Sequence, residues 1–290
     1  MILKARSHLV TFPRRPLVMA IVNINDDSFC GDGTLDVHSA LEQAAAALRD
    51  GADIIDIGAE SARTNRGPIS EKDEINRLLP FLHAWPELLE KTKSVPRDPE
   101  QLWPPLLSIN TWRTGVIEKI LPVGGDMIND ISALPDQTHA TLCDEHGAAL
   151  LIMHTVGQPK VPHTHVSYPN IMETLSAFFD EKIALATSAG LSLEQIVIDP
   201  GIDFAKQKDD NLAIYGELEK LSKWDRPILL PVSRKTVIGD VLGLKTPTER
   251  DAGTVACIAS GISRGAHLFR VHNVRAAVQT VKTLWALTSD

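Results

Sequence analysis

The chain has 290 residues, 43% of them hydrophobic and 23% charged, with a formal net charge of −8; that is enough for one large domain or two small ones. The acidic balance excludes a nucleic-acid partner held by bulk electrostatics, so any bound anion must be held by local basic groups. Cys30, Cys143 and Cys257 form neither a disulfide framework nor a metal-ligand spacing, no run approaches the roughly 18 apolar residues of a membrane span, and the first residues carry no apolar signal core, so a cytoplasmic protein without a membrane partner is expected.

Taken in order, residues 16–23 read as a first strand, followed by a polar loop (24–34) and an Ala-rich helix over 37–49. DIIDIG (53–58) is a second strand. After a loop, Ser70 caps a helix expected to run to about Trp85, with Asp73 as a capping-box-like acid. Residues 91–105 carry four prolines and read as a surface insertion. Strands follow at 106–110, 126–129 and 149–154, separated by helices over 114–121 and 137–146. A long loop (155–169) leads to a helix ending near Ser188. The run at 195–199 is the sixth strand, followed by a helix near 210–221. A strand at 227–233, helices over 235–242 and 250–265, a strand at 267–271 and a helix over 274–287 close the chain.

Short buried strands alternating with helices imply a parallel sheet. Eight such units predict an α/β fold of the closed (β/α)8 TIM-barrel type, forming a single domain over 1–290. The rival is a doubly wound open sheet, which would want a GxGxxG turn after the first strand, and none is present.

The strand ends carry the chemistry. Asn23, Asp56, Asn110, Asn129, Met153-His154, Asp199, Ser233-Arg234-Lys235 and Arg270-Val271-His272 each stand where an apolar run stops. A barrel brings all eight to one mouth. Asp56, Asn110, Asn129 and Asp199 could embrace a flat heterocycle rich in N–H groups. Arg63, Lys235, Arg270 and His272 supply donors for a phosphate or pyrophosphate. Asn23, with nearby acids, could bind a largely hydrated Mg²⁺.

In order along nearly the whole chain, these stretches resemble dihydropteroate synthase. MAIVNINDDSF (19–29) resembles the family's MGIVNVTPDSF, and GADIIDIGAESARTNRGPIS (51–70) resembles GADIIDIGGESTRPG…VS. INT (109–111), MINDIS (127–132), LIMH (151–154), DPGIDFAK (199–206), SRKT (233–236) and RVHNV (270–274) complete the series. The resemblance implies a transferase of folate biosynthesis that joins 6-hydroxymethyl-7,8-dihydropterin diphosphate to 4-aminobenzoate, with Mg²⁺ as cofactor and a homodimer as the assembly. Asp199, Lys235, Arg63 and Asn110 would be catalytic. The pterin would lie among Asn110, Asn129, Asp199, Lys235, Met153 and Phe204. The diphosphate would lie among Asn23, Arg63, Arg270 and His272, with the metal at Asn23. Phe29, Arg63, Thr64, Ser233 and Lys235 would hold the aminobenzoate.

The chain departs from the family pattern at the mouth. Asn110 replaces an Asp, Asp203 and Ala205 replace two glycines, and Pro231 replaces a Gly. Ala62 and Thr64 replace Thr and Pro, which motivates a reading with low sulfonamide sensitivity. Two alternatives stand beside the synthase: a paralogue that binds pterin with altered or no activity, and a corrinoid-dependent methyltransferase, which would not need the SRK and RVH anion set.

Overall fold

The computed structural model describes residues 1–26, 30–62, 67–161 and 165–288. The chain opens with an antiparallel hairpin, β1 (Ile2–Ala5) and β2 (His8–Thr11), which the sequence reading did not anticipate. Eight parallel strands follow: β3 (Leu17–Asn23), β4 (Ile54–Gly58), β5 (Leu106–Asn110), β6 (Met127–Asp130), β7 (Ala149–Met153), β8 (Ile196–Asp199), β9 (Leu229–Leu230) and β10 (Leu268–Val271). Their order around the sheet is β8-β7-β6-β5-β4-β3-β10-β9. A single bridge, Ile198 to Ile228, joins the two ends, and the sheet is a (β/α)8 barrel. The seventh strand of the barrel is shorter than the run at 227–233 predicts. Pro227 and Pro231 flank it, and neither can donate to a ladder.

The intervening helices are α1 (Val37–Arg49), α2 (Glu71–Thr92), α3 (Thr114–Ile120), α4 (Thr138–His146), α5 (Ile171–Ser188), α6 (Lys208–Gly216), α7 (Thr236–Leu242), α8 (Asp251–Ser263) and α9 (Val274–Thr288). Ser70 caps α2 by accepting from the Asp73 backbone N–H at 3.1 Å. The helix runs past Trp85 through Pro80 and Pro86, because Phe81, Leu82 and Trp85 pack it onto the core across those breaks. The proline-rich stretch is anchored as well. Gln101 is buried and donates to the Leu48 and Ala52 carbonyls at 3.0 and 2.9 Å.

Period-two alternation divides the strands into two apolar layers. Val18, Ala20, Val22, Ile55, Ile57, Leu107 and Ile109 belong to the layer that packs on the helices. Leu17, Met19, Ile54, Leu106, Met127, Leu151, Val197 and Leu268 fill the barrel. The hairpin plugs the amino-terminal end of that inner layer with Leu3, Ala5 and Val10, joined by Phe12 just beyond it. The carboxyl end is left open for chemistry.

Candidate active site

One cavity of about 690 Å³ opens at the carboxyl ends of the strands. Asn23, Asn110, Asn129, Met153, Asp199, Phe204, Ser233, Lys235, Arg270 and His272 all line it. Phe29, Arg63 and Thr64 lie outside the described residues. The side-chain amide of Asn110 makes no hydrogen bond among the described residues and faces the cavity.

Asp56 is not at the mouth. It is 0% exposed and lies beneath the cavity floor, accepting from Ser108 Oγ (2.6 Å), Asn129 Nδ2 (3.2 Å) and Arg270 Nε (2.7 Å). Inward positions on β4 are 54, 56 and 58, so the residue at the rim is Gly58, which pairs with Asn110 across the ladder. Asp56 instead orients two residues that do face the cavity.

Asp199 ends β8 and is 4% exposed. Burial pushes its carboxyl up to about 6, opposed by the Gly201 N–H bond and by the charges of Lys235, Lys206 and Arg270. The Gly201 bond is 2.7 Å. Gly201 has φ +70°, and a Cβ there would come within 2.0 Å of the His154 carbonyl oxygen, so only glycine fits this turn.

Lys206 is buried beside Asp199. Its ammonium donates to His154 Nδ1 (2.8 Å) and to the carbonyls of Phe204 (3.0 Å) and His154 (3.2 Å). Burial pushes this lysine down to about 7, while the three acceptors match the three protons of the charged form. Burial holds His154 down at about 3 with the Lys206 charge adding to it, so a neutral ring accepts at Nδ1. Lys235 lines the same cavity. It donates to the Ile202 carbonyl at 2.8 Å, with Nζ 5.0 Å from the Phe204 ring centre. Its charge is disfavoured by burial and favoured by Asp203 and Asp199.

Burial pushes His272 down to about 4, with Asp32 opposing and Arg270, Arg234 and Lys235 reinforcing the shift. Ser233 Oγ accepts from the His272 backbone N–H at 3.1 Å and lies 2.8 Å from Nδ1. A hydroxyl that accepts from the backbone and donates to Nδ1 leaves the ring proton on Nε2, so the neutral imidazole is an anion donor. Arg234, read as part of the mouth, instead pairs with Asp251 at 2.7 Å and does not line the cavity.

Two wall residues, Glu60 and Lys160, escaped the sequence reading, as did Asp32 beside Asn23. Glu60 ends the turn after β4 and accepts from the Ile69 N–H at 3.0 Å and from Arg113 at 2.6 Å. Lys160 reaches Glu60 at 3.4 Å and the Ser61 carbonyl at 2.8 Å from 99 residues away. Asp32 accepts from Asn23 Nδ2 at 3.1 Å. This Asn–Asp pair offers hard oxygen donors, the set that Mg²⁺ takes alongside water and phosphate. Cys30, Asp32 and His272 also bring their ligand atoms within 4.8 Å of one another. The thiol and imidazole of that trio are not magnesium ligands, so the fit rests on Asn23 and Asp32.

A barrel whose mouth holds a buried carboxylate among amides, together with cationic and imidazole donors, is built for a polar ring bearing an anionic group. A family model described as pterin binding enzyme matches residues 19–272, and this fold and site define that class. A dihydropteroate synthase of Synechocystis is 34% identical over 96% of this chain and 92% of its own length. The dihydropteroate synthase of Yersinia pestis, solved with a sulfonamide drug, superposes with TM-score 0.87 at 31% identity, covering 100% of this chain and 99% of that one. That of Thermus thermophilus, solved with 4-aminobenzoate, gives 0.83 at 31%, covering 99% and 100%. Within the pterin-binding enzymes, the chain belongs to the dihydropteroate synthase family.

Proposed function

We propose that the chain condenses 6-hydroxymethyl-7,8-dihydropterin diphosphate with 4-aminobenzoate, giving 7,8-dihydropteroate and pyrophosphate in folate biosynthesis. The observation that carries this is one cavity lined both by an amide–carboxylate set (Asn110, Asn129, Asp199) and by a set of donors, cationic Lys235 and Arg270 with neutral His272.

The pterin lies with its N–H groups toward Asp199 and Asn129, between Met153 and the Phe204–Lys235 pair. The carbon–oxygen bond to the diphosphate breaks, and the electron pair leaves on pyrophosphate. Arg270, held by Asp56, and the Nε2 proton of His272 stabilise that charge where it develops. The methylene cation left on the pterin is stabilised by ionised Asp199. The arylamine nitrogen, placed by Ser233 and Lys235 together with Phe29, Arg63 and Thr64, donates its lone pair to form the new carbon–nitrogen bond and then releases a proton to water. The amine needs little activation, so positioning accounts for most of this second step. Asn23 and Asp32 would hold Mg²⁺, which when bound neutralises part of the diphosphate charge.

The reading extends to a single pterin-binding domain over 1–290, with 91–105 as its proline-rich insertion. A homodimer is supported by the exposed Leu212, Val241 and Leu242 on α6 and α7, and sedimentation of the purified protein tests it. A cytoplasmic location is supported by three free thiols. No described helix is long and apolar enough to cross a membrane.

The test is pyrophosphate release with both substrates and Mg²⁺. Release that depends on aminobenzoate is expected. Asn110→Asp restores a charge beside the pterin and is expected to raise kcat several-fold. Intact pterin binding without any release would overturn the synthase reading in favour of a binding paralogue.

A further inference from the structure

Asp203 stands in the left-handed region with φ +66°, a conformation that costs any residue but glycine, though least for Asn and Asp. Its surroundings account for the choice of residue. The backbone N–H donates to Asn211 Oδ1 at 2.9 Å, and Asn211 Nδ2 returns a bond to the carboxylate at 3.2 Å. Asn211 is itself buried on α6. The same carboxylate accepts from the backbone N–H of Thr236 and, at 3.3 Å, from that of Val237. These are the first two residues of α7, and Lys235 is the residue just before it. Lys235 offers no side-chain cap to its own helix; its side chain turns back to the Ile202 carbonyl instead. The loops after β8 and β9 are thus stitched twice, once by each side chain reaching into the other's backbone.

We propose that Asp203 is a positioning residue for the cavity. By accepting from the first N–H groups of α7, which a lysine at the cap position cannot do, it fixes the backbone from which the Lys235 side chain lies along the cavity wall, and its charge favours the ammonium there. This rests on the functional reading above, in which Lys235 touches substrate. The charged groups that act on Lys235 are Asp203 and Asp199, which favour its protonated form, and Arg270, which opposes it; Lys206 is a further neighbouring cation. Removing Asp203 takes away the first favourable charge, so Lys235 should lose its proton at lower pH.

The experiment compares wild type with Asp203→Gly and Asp203→Asn. Glycine relieves the left-handed backbone and deletes the cap, whereas asparagine tolerates the backbone and keeps an acceptor but not the charge. The titration of Lys235 is followed directly by NMR of ¹³C-methylated lysines, with the signal assigned through Lys235→Arg, and the KM for the dihydropterin diphosphate is measured alongside. The expected result is a Lys235 titration shifted to lower pH in both variants, with KM raised about five- to tenfold in Asp203→Gly and largely rescued in Asp203→Asn. An unmoved Lys235 titration and unchanged KM, with at most a change in melting temperature, would overturn the proposal and leave Asp203 a structural cap. The NMR readout needs no turnover, so a wild type that releases no pyrophosphate overturns the functional reading without obscuring this one.

Discussion

Asp199 shows how the site opposes its own fold. A carboxyl that burial raises from 3.8 to about 6 binds its proton more tightly folded than unfolded. Between those two values the folded state holds a proton the unfolded chain has lost, so stability falls as pH rises through that window. By neutral pH the penalty is on the order of 2–3 kcal/mol. Asp199→Asn is therefore expected to stabilise the unliganded protein by up to about that amount at pH 7, to lose the advantage near pH 4, and to abolish turnover; denaturant unfolding at the two pH values with a parallel activity assay checks it. Wild-type activity should fall as pH drops below about 6, as Asp199 gains its proton. At this scale much of the wall was legible, because a polar residue ending an apolar run marks a strand's carboxyl end. Asp56 was misread because the same cue ignores parity. In DIIDIG the inward series ends at Gly58, which puts the aspartate one layer down. Asp203 was visible only as a glycine missing from a family pattern, since its partners on α6 and α7 are brought together by the fold.

Among the elements, strands and helices announce themselves by period, whereas loops do not. The barrel could be read in order, and its errors are local: prolines shorten β9, and tertiary packing carries α2 through two more. The tie between the loops at 59–69 and 155–169 could not be read, because nothing in either stretch points to a partner a hundred residues away. Glu60 closes the base of the first loop at Ile69, and Lys160 brings the second loop onto it. Lys160→Ala removes that tie while Arg113 continues to satisfy Glu60, so the cost to stability should stay near 1–2 kcal/mol. KM for 4-aminobenzoate should rise several-fold with kcat for bound substrate little changed, as steady-state kinetics would show. A loss confined to the melting temperature would mean that the tie serves the fold alone.

The whole molecule depends on a barrel sealed at one end and open at the other. At the amino end the β1–β2 hairpin seals the interior with Leu3, which is 0% exposed and packs in the inner apolar layer. Leu3→Ala should cost about 2–4 kcal/mol, read as a lowered denaturant midpoint at unchanged m-value, with KM for both substrates unaffected because the mouth lies at the other end. The hairpin was not legible, since a short strand pair outside the β-then-α rhythm resembles a polar leader, and its apolar residues matter only once the barrel exists to be plugged. At the carboxyl end, the buried carboxylate of Asp56 has a different consequence. It braces Asn129 from β6 and Arg270 from β10 at once, so in the proposed reaction the amide assigned to the ring and the cation assigned to the phosphate share one anchor. A change that retunes one subsite through this anchor disturbs the other. Escape from an inhibitor that imitates one substrate is thus channelled to the rim loops, where side chains can vary independently, and the floor beneath them is left little room to evolve.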